Sequence, residues 1–164
     1  MKPHQFIKFD GIDGESMDED FTGYIDVLEF TFGADIPADT GWGGTGRTYG
    51  RGRPNNFTFK KFLDRATPAI YYSTLVGRHF PKVEFIATKA SGAEVLRYYS
   101  MVFTGVNVKN VLTEGQYGSG APLESVEIVF EELEMIYHLQ AVHGSGDVEP
   151  RLLWNNKTQK GSVM

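Results

Sequence analysis

Apolar and polar residues alternate along most of this chain, and the alternation predicts strands. Gln5 to Phe9 is a short extended run. In Tyr24 to Phe32, Leu28, Phe30 and Phe32 share one face, and Glu29 and Thr31 share the other. Such a strand sets one side on a core and the other in water. Phe57 and Phe59, with Phe62 beyond them, form an aromatic face against Thr58 and Lys60. Lys82 to Ala90 alternates with Val83, Phe85 and Ala87 inward, and Gly92 marks a turn. Val95 to Val111 is a long run, apolar on both faces at Tyr98, Tyr99, Met101, Val102 and Phe103. Gly105 is placed to break it into two strands or to bulge it. Val126, Ile128 and Phe130 share a face; beyond them the apolar set is Leu133, Met135 and Tyr137. The parity flips at Glu131 and Glu132, as a β-bulge requires. Helix is the competing reading of VFEELEMIYHL, but strict alternation and missing caps favour strand. Arg151 to Asn155, with Trp154, reads as a closing strand, and the polar tail after Asn156 is expected to fray.

One stretch departs from the strand pattern. Thr67 is a suitable N-cap, Pro68 suits the first helical position and Gly77 suits a left-handed C-cap. Ala69, Tyr72 and Val76 recur at i, i+3 and i+7, so this face is expected to bury. The spacing predicts a helix over about Pro68 to Val76. Eight or so strands with one helix imply a mainly β fold. The expectation is an antiparallel β-barrel of two sheets with one flanking α-helix.

The segment 34–56 breaks both periodicities. Six of the twelve residues from Gly41 to Gly52 are glycine, and Trp42, Arg47, Tyr49, Arg51 and Arg53 fall within or next to that stretch. Loops above about 12 to 15 residues are uncommon without a function. Gly41, Gly43 and Gly46 match G-x-G-x-x-G, but no helix pattern follows, as a dinucleotide turn requires. A basic arm that contacts an acidic patch of another copy is the better reading. The Asp18 to Asp20 acids are one candidate partner.

Length and composition narrow the rest. At 164 residues, residues 1–164 are read as a single domain carrying that arm. A net charge of −5 argues against a nucleic-acid binder and against docking on anionic membranes. With no cysteine there is no disulfide, thiolate metal site or cysteine nucleophile. No apolar leader is visible near Met1 and no run suits a membrane span, so export is expected to use a route that reads no N-terminal signal.

No catalytic constellation emerges. His4, His79, His138 and His143 form no paired-ligand spacing and are read as structural. Glu131, Glu132 and Glu134 cluster in sequence, but a strand sends neighbours to opposite faces. The acids from Asp10 to Asp20 lack the spacing of a calcium loop and read as a solvated loop. The expectation is therefore a non-enzyme with no cofactor and no metal. One-sided strands, an adhesive arm and an acidic body suit a subunit that repeats, since a head-to-tail contact that closes makes a ring.

Particular motifs sharpen this. Phe6-Ile7-Lys8, Gly14-Glu15-Ser16 and Ile25-Asp26-Val27-Leu28 lead to Phe32-Gly33. Phe57-Thr58-Phe59-Lys60, Asp64, Ala66-Thr67-Pro68, Gly77 with His79, Glu124 to Phe130 and Trp154 follow in order. In that order and spacing the chain resembles Hcp, the haemolysin-coregulated protein of the type VI secretion inner tube. It departs at Ser73 and Thr74, where many relatives carry Ala-Cys, and in the long arginine-rich arm. The resemblance implies a two-sheet barrel with a flanking helix, six-membered rings that stack into a tube, and effector proteins carried and protected in the lumen. It implies sheath proteins outside, a spike protein at the tip, and a cytoplasmic subunit delivered outside the cell or into a neighbouring one. Set beside that plan, Glu29 and Thr31 on the polar strand face are candidates to line the lumen, and Trp42, Arg47, Tyr49, Arg51 and Arg53 on the arm are candidates to contact the next ring. A specialised secreted effector, a phage tail-tube-like protein and a monomeric ligand-binding barrel or hydrolase are the alternatives.

Overall fold

The computed structural model describes residues 4–37, 51–139 and 149–164. Its strands are β1 (Gln5–Phe9), β2 (Ile25–Val27), β3 (Glu29–Thr31), β4 (Ala34–Asp35), β5 (Arg53–Pro54), β6 (Phe57–Phe62), β7 (His79–Ser91), β8 (Glu94–Glu114), β9 (Leu123–Val129), β10 (Glu132–Tyr137), β11 (Arg151–Asn155) and β12 (Lys160–Val163). The α-helix α1 spans Thr67–Val76, and a 3-10 turn spans Glu19–Phe21.

Every strand pairing among the described residues is antiparallel, and the pairings run in one series from β2 to β3. β2 pairs β1, β1 pairs β7, β7 pairs β8, β8 pairs β9, β9 pairs β6 and β6 pairs β3. The wall passes from β2 back to β3 through a bend at Leu28, whose N–H donates to Lys60 O at 2.8 Å. Outside this series the N-terminal half of β8 also pairs β10, which carries β11 and then β12. β4 and β5 make a separate two-stranded ladder.

The core is aromatic. Phe9, Phe57, Phe59, Phe85 and Phe103 are sealed from solvent together with Ile7, Val83, Met101, Val126 and Ile128. Phe57 is the hub: ring centroids of Phe103 and Phe85 lie 5.0 and 5.2 Å away, and those of Phe30, Phe32 and Phe59 within 6.2 Å. Each such side chain contributes on the order of 1.5–3 kcal/mol from burial alone. A smaller cluster of Phe6, Phe21 and Ile86, with Tyr24 against it, covers part of the opposite face of β1 and β7.

Several expectations change. The run Tyr24 to Phe32 is two strands, because the bend leaves Val27 buried and Leu28 exposed, so Leu28 does not join Phe30 and Phe32. On β6 the third inward residue is Lys61, and Phe62 faces outward at 50% exposure. β8 is one strand rather than two. At Gly105, with φ of 65°, it exchanges partners, and Glu131 N donates to both Thr104 O and Gly105 O. The positive φ favours glycine at this corner, and a β-carbon there would also sit 2.7 Å from Glu131 Cγ and push that side chain aside.

The parity flip at Glu131 and Glu132 is real and falls where β9 gives way to β10, both strands. Leu133 is buried, but Tyr137 is exposed and Ile136 is buried on the other face. Residues beyond Asn156 do not fray: a turn returns the chain as β12 along β11. Gly77 ends α1 in the left-handed region at φ 65°. The cap residue is Ala66, however, and Thr67 turns its hydroxyl into the barrel. The buried residues of α1 are Thr67, Ile70 and Ser73, with Ala66 buried at the cap; Ala69 packs on the core in part, whereas Tyr72 and Val76 are exposed.

Candidate functional site

The outer side of the β3–β6–β9 wall is built by strand parity. With Phe57, Phe59, Val126 and Ile128 inward, their neighbours must point out. Three cross-strand rows result. Thr31, Thr58 and Glu127 stand in register in one, Glu29, Lys60 and Ser125 in the next, and Phe62 and Leu123, both exposed, in the last. Glu29 and Thr31 are both exposed on this wall. Lys60 Nζ meets Glu29 Oε1 at 2.7 Å, and that hydrogen bond and charge raise the Lys60 pKa above its ordinary value. Glu127 accepts from Asn56 Nδ2 at 2.7 Å and lies 3.6 Å from Lys109 Nζ. The two rows shared by all three strands are thus hydrophilic, with their charges matched across the ladder.

The arm leaves from the same end. Its root is ordered as β4 and β5, and Arg53 Nε meets Asp35 Oδ1 at 3.3 Å. One of the three predicted arginines is therefore engaged within its own chain. Arg51 lines a cleft of about 790 Å³ together with Ile36, Tyr99, Met135, Leu152 and Trp154. Trp42, Arg47 and Tyr49 lie outside the described residues.

The acidic loop is more than a solvated run. Lys8 Nζ binds Asp13 Oδ1 at 2.7 Å together with the carbonyls of Ile12 and Gly23. That hydrogen bond and charge hold the Asp13 carboxyl below the usual range. Asp18 accepts from Asp20 N, and Glu15 accepts from Arg65 N at the approach to α1. These carboxylates hold the chain's own donors.

The remaining candidates do not converge on a reaction. Glu131 pairs with Lys157 at 2.8 Å, which lowers its pKa; Glu132 accepts from Asn155; Glu134 lies 3.6 Å from Arg151. His79 is exposed at the start of β7. His138 joins Ser100 Oγ at 2.9 Å through Nε2 and Glu149 Oε1 at 3.3 Å through Nδ1. The order resembles a Ser-His-acid relay, but a nucleophile needs room for a substrate. Ser100 is buried on β8 with Ile86 and Ile136 as its cross-strand partners. The contact ties β8 to the approach to β11.

One arrangement was not expected. Lys61 and Glu124 are both fully buried, and Lys61 Nζ meets Glu124 Oε2 at 2.7 Å. Lys61 Nζ also reaches Asp64 Oδ1 at 2.7 Å, Thr67 Oγ1 at 3.1 Å and Phe62 O at 3.1 Å. Thr67 Oγ1 donates to Glu124 Oε2, and Thr113 Oγ1 lies 3.4 Å from Glu124 Oε1. A signal was available: Lys61 shares parity with Phe57 and Phe59, and Glu124 with Val126 and Ile128.

Comparison with known proteins gives a consistent result. The sequence model of the family described as "Type VI secretion system effector, Hcp" matches residues 6–137. Protein hcp1 of Pseudomonas aeruginosa is 30% identical over 156 residues, covering 94% of this chain and 96% of that protein. A solved type six secretion system protein superposes with a TM-score of 0.84 at 25% identity, covering 98% of this chain and all of that one. Hcp1 from Salmonella typhimurium superposes with a TM-score of 0.77 at 27% identity, covering 99% of this chain and all of that one.

Proposed function

Because the chain belongs to the Hcp family of the type VI secretion system, we propose that it is a structural subunit of the secretion tube. Six copies form a ring, rings stack, and effector proteins travel in the lumen. The observation that carries this reading is the outer wall of β3, β6 and β9. It is polar in the two rows that all three strands share, and Lys60 neutralises Glu29 in place. A water-filled channel needs such a wall. It must be hydrophilic enough to stay wet and free of a dense single charge that would trap cargo. Glu29 and Thr31 then line the lumen, and the sheath and spike proteins are partners outside and at the tip. The subunit acts by assembly and not by catalysis, and it leaves the cell with the tube. Among the described residues no helix is long and apolar enough to cross a membrane.

The arm supports stacking in this reading. Charge reversal of Arg47, Arg51 and Arg53 leaves rings intact and weakens their stacking. Because Arg53 already pairs with Asp35, the swap Asp35→Arg with Arg53→Asp is the control. It keeps the root pair and inverts the charge at position 53. The primary test is size: gel filtration and negative-stain imaging of the purified chain give ring particles. A chain that stays monomeric at high concentration overturns the reading.

A further inference from the structure

The ten residues of α1, TPAIYYSTLV, carry no charge, and apolar side chains surround most of its circumference. Only Ala66 at its cap, Ile70 and, in part, Ala69 pack on the core. Tyr72, Leu75 and Val76 point away, 65%, 82% and 54% exposed. Ser73 and Thr74 turn their hydroxyls back to the carbonyls of Ala69 and Ile70, at 2.7 and 2.8 Å, and so tie nothing to the barrel. Apolar burial is non-directional. A helix of this composition, rolled by about 100° per residue step, would still offer some apolar side chain to the space Ile70 fills. Hydrophobic contact alone therefore does not select the observed rotation.

The bonds that depend on the rotation belong to the buried ionic knot. Thr67 Oγ1 donates to Glu124 Oε2, accepts from Asp64 N at 3.1 Å and lies 3.1 Å from Lys61 Nζ. One turn on, Tyr71 Oη meets Thr113 Oγ1 at 2.6 Å, and Thr113 reaches the other oxygen of Glu124. These bonds are directional, and a roll in either direction breaks both at once. We propose that the Lys61–Glu124 knot is a positioning device that fixes the rotation of α1 about its own axis. It thereby decides that Tyr72, Leu75 and Val76 form the outward face. The role is specificity of arrangement, and it holds whether or not rings form.

The absence of cysteine makes a clean test possible. Single cysteines replace Ser73, which is 1% exposed, or Leu75, which is 82% exposed. Labelling with a thiol reagent then reports which side of the helix faces water, each variant being compared at the same measured particle size. With the knot intact, the cysteine at 75 reacts fast and the cysteine at 73 slowly. In the Lys61→Met, Glu124→Leu background the ratio of the two rates falls about tenfold or more, the scale set by losing charged hydrogen bonds. Thr67→Val, which removes only the helix's own bond to the knot, moves the ratio the same way by less. It serves alone if the double replacement does not fold. Ile70→Ala, with the knot intact, keeps the ratio. If the ratio is unchanged in both knot variants, or collapses only with Ile70→Ala, the apolar contacts set the rotation and the proposal is wrong.

Discussion

Two regions of the barrel are built from the same strands and obey opposite chemistry. Along β6 the inward residues are Phe57, Phe59 and Lys61; along β9 they are Glu124, Val126 and Ile128. One end of this interior is a cluster of stacked and tilted phenylalanine rings, and the other is an ion pair without solvent exposure. The aromatic end is held by area and shape, which tolerate small shifts. The ionic end is held by charge and direction, which do not. Strand parity fixes only which residues face inward; what they must be depends on what covers them. Phenylalanines meet other strands, whereas Lys61 and Glu124 meet a helix that needs to be oriented.

The sharpest way to break this comparison is to remove one charge. Lys61→Met leaves Glu124 buried without its ion partner and should cost about 3–5 kcal/mol of stability. Phe57→Ala, at the aromatic hub, should cost a similar ~3–5 kcal/mol through lost burial and a cavity. Equal losses hide different causes, and a second substitution separates them. Glu124→Leu in the Lys61→Met background should recover most of the loss, because replacing a buried pair by apolar residues of similar volume is often neutral. No charge change should rescue Phe57→Ala. Chemical denaturation of the three variants beside the parent chain gives the answer, and failure of Glu124→Leu to rescue would mean that the knot contributes stability outright. Next in size is Thr67→Val, which removes a hydroxyl and keeps volume. The loss of its hydrogen bond to a buried charge should cost about 1.5–3 kcal/mol in the same measurement.

The contrast also explains what the sequence could convey. The aromatic end was legible, because Phe57, Phe59, Val83, Phe85, Val126 and Ile128 stand at period two. The family motifs, the barrel class and the closing strand at Trp154 were legible as well. The ionic end carries the same period, but a charged residue at an inward position reads as an error in the pattern. A period-two reading therefore favours Phe62 over Lys61. The buried face of α1 is hard to read from sequence for a related reason. With apolar residues nearly all round, Ala69–Tyr72–Val76 is as regular as the face that does bury, Thr67–Ile70–Ser73. β12 left no mark, since KGSV is exposed on both sides and is held by backbone pairing to β11. The lumen candidates Glu29 and Thr31 follow from parity alone, while the bend that exposes Leu28 does not.

The smallest effects belong to the surface pairs, and they bound the comparison from below. Lys60 and Glu29 are at the same 2.7 Å separation as Lys61 and Glu124, one residue along the same strand, but in water. Solvent and salt screen an exposed pair, and holding two long side chains together costs entropy. Lys60→Met should therefore leave the melting midpoint unresolved from that of the parent chain, although the distance is the same. The Lys8–Asp13 pair gives the matching test in pH. Lys8 holds the folded Asp13 carboxyl below its unfolded value, so its contribution is present above the ordinary carboxylate range and is lost as pH falls through the folded value. Lys8→Met should remove that contribution, lowering stability slightly at neutral pH and flattening the acid limb, so that the variant and the parent chain converge below the folded value. If instead Lys60→Met proved as damaging as Lys61→Met, distance rather than burial would govern these pairs, and the division between the two ends of the barrel would lose its physical basis.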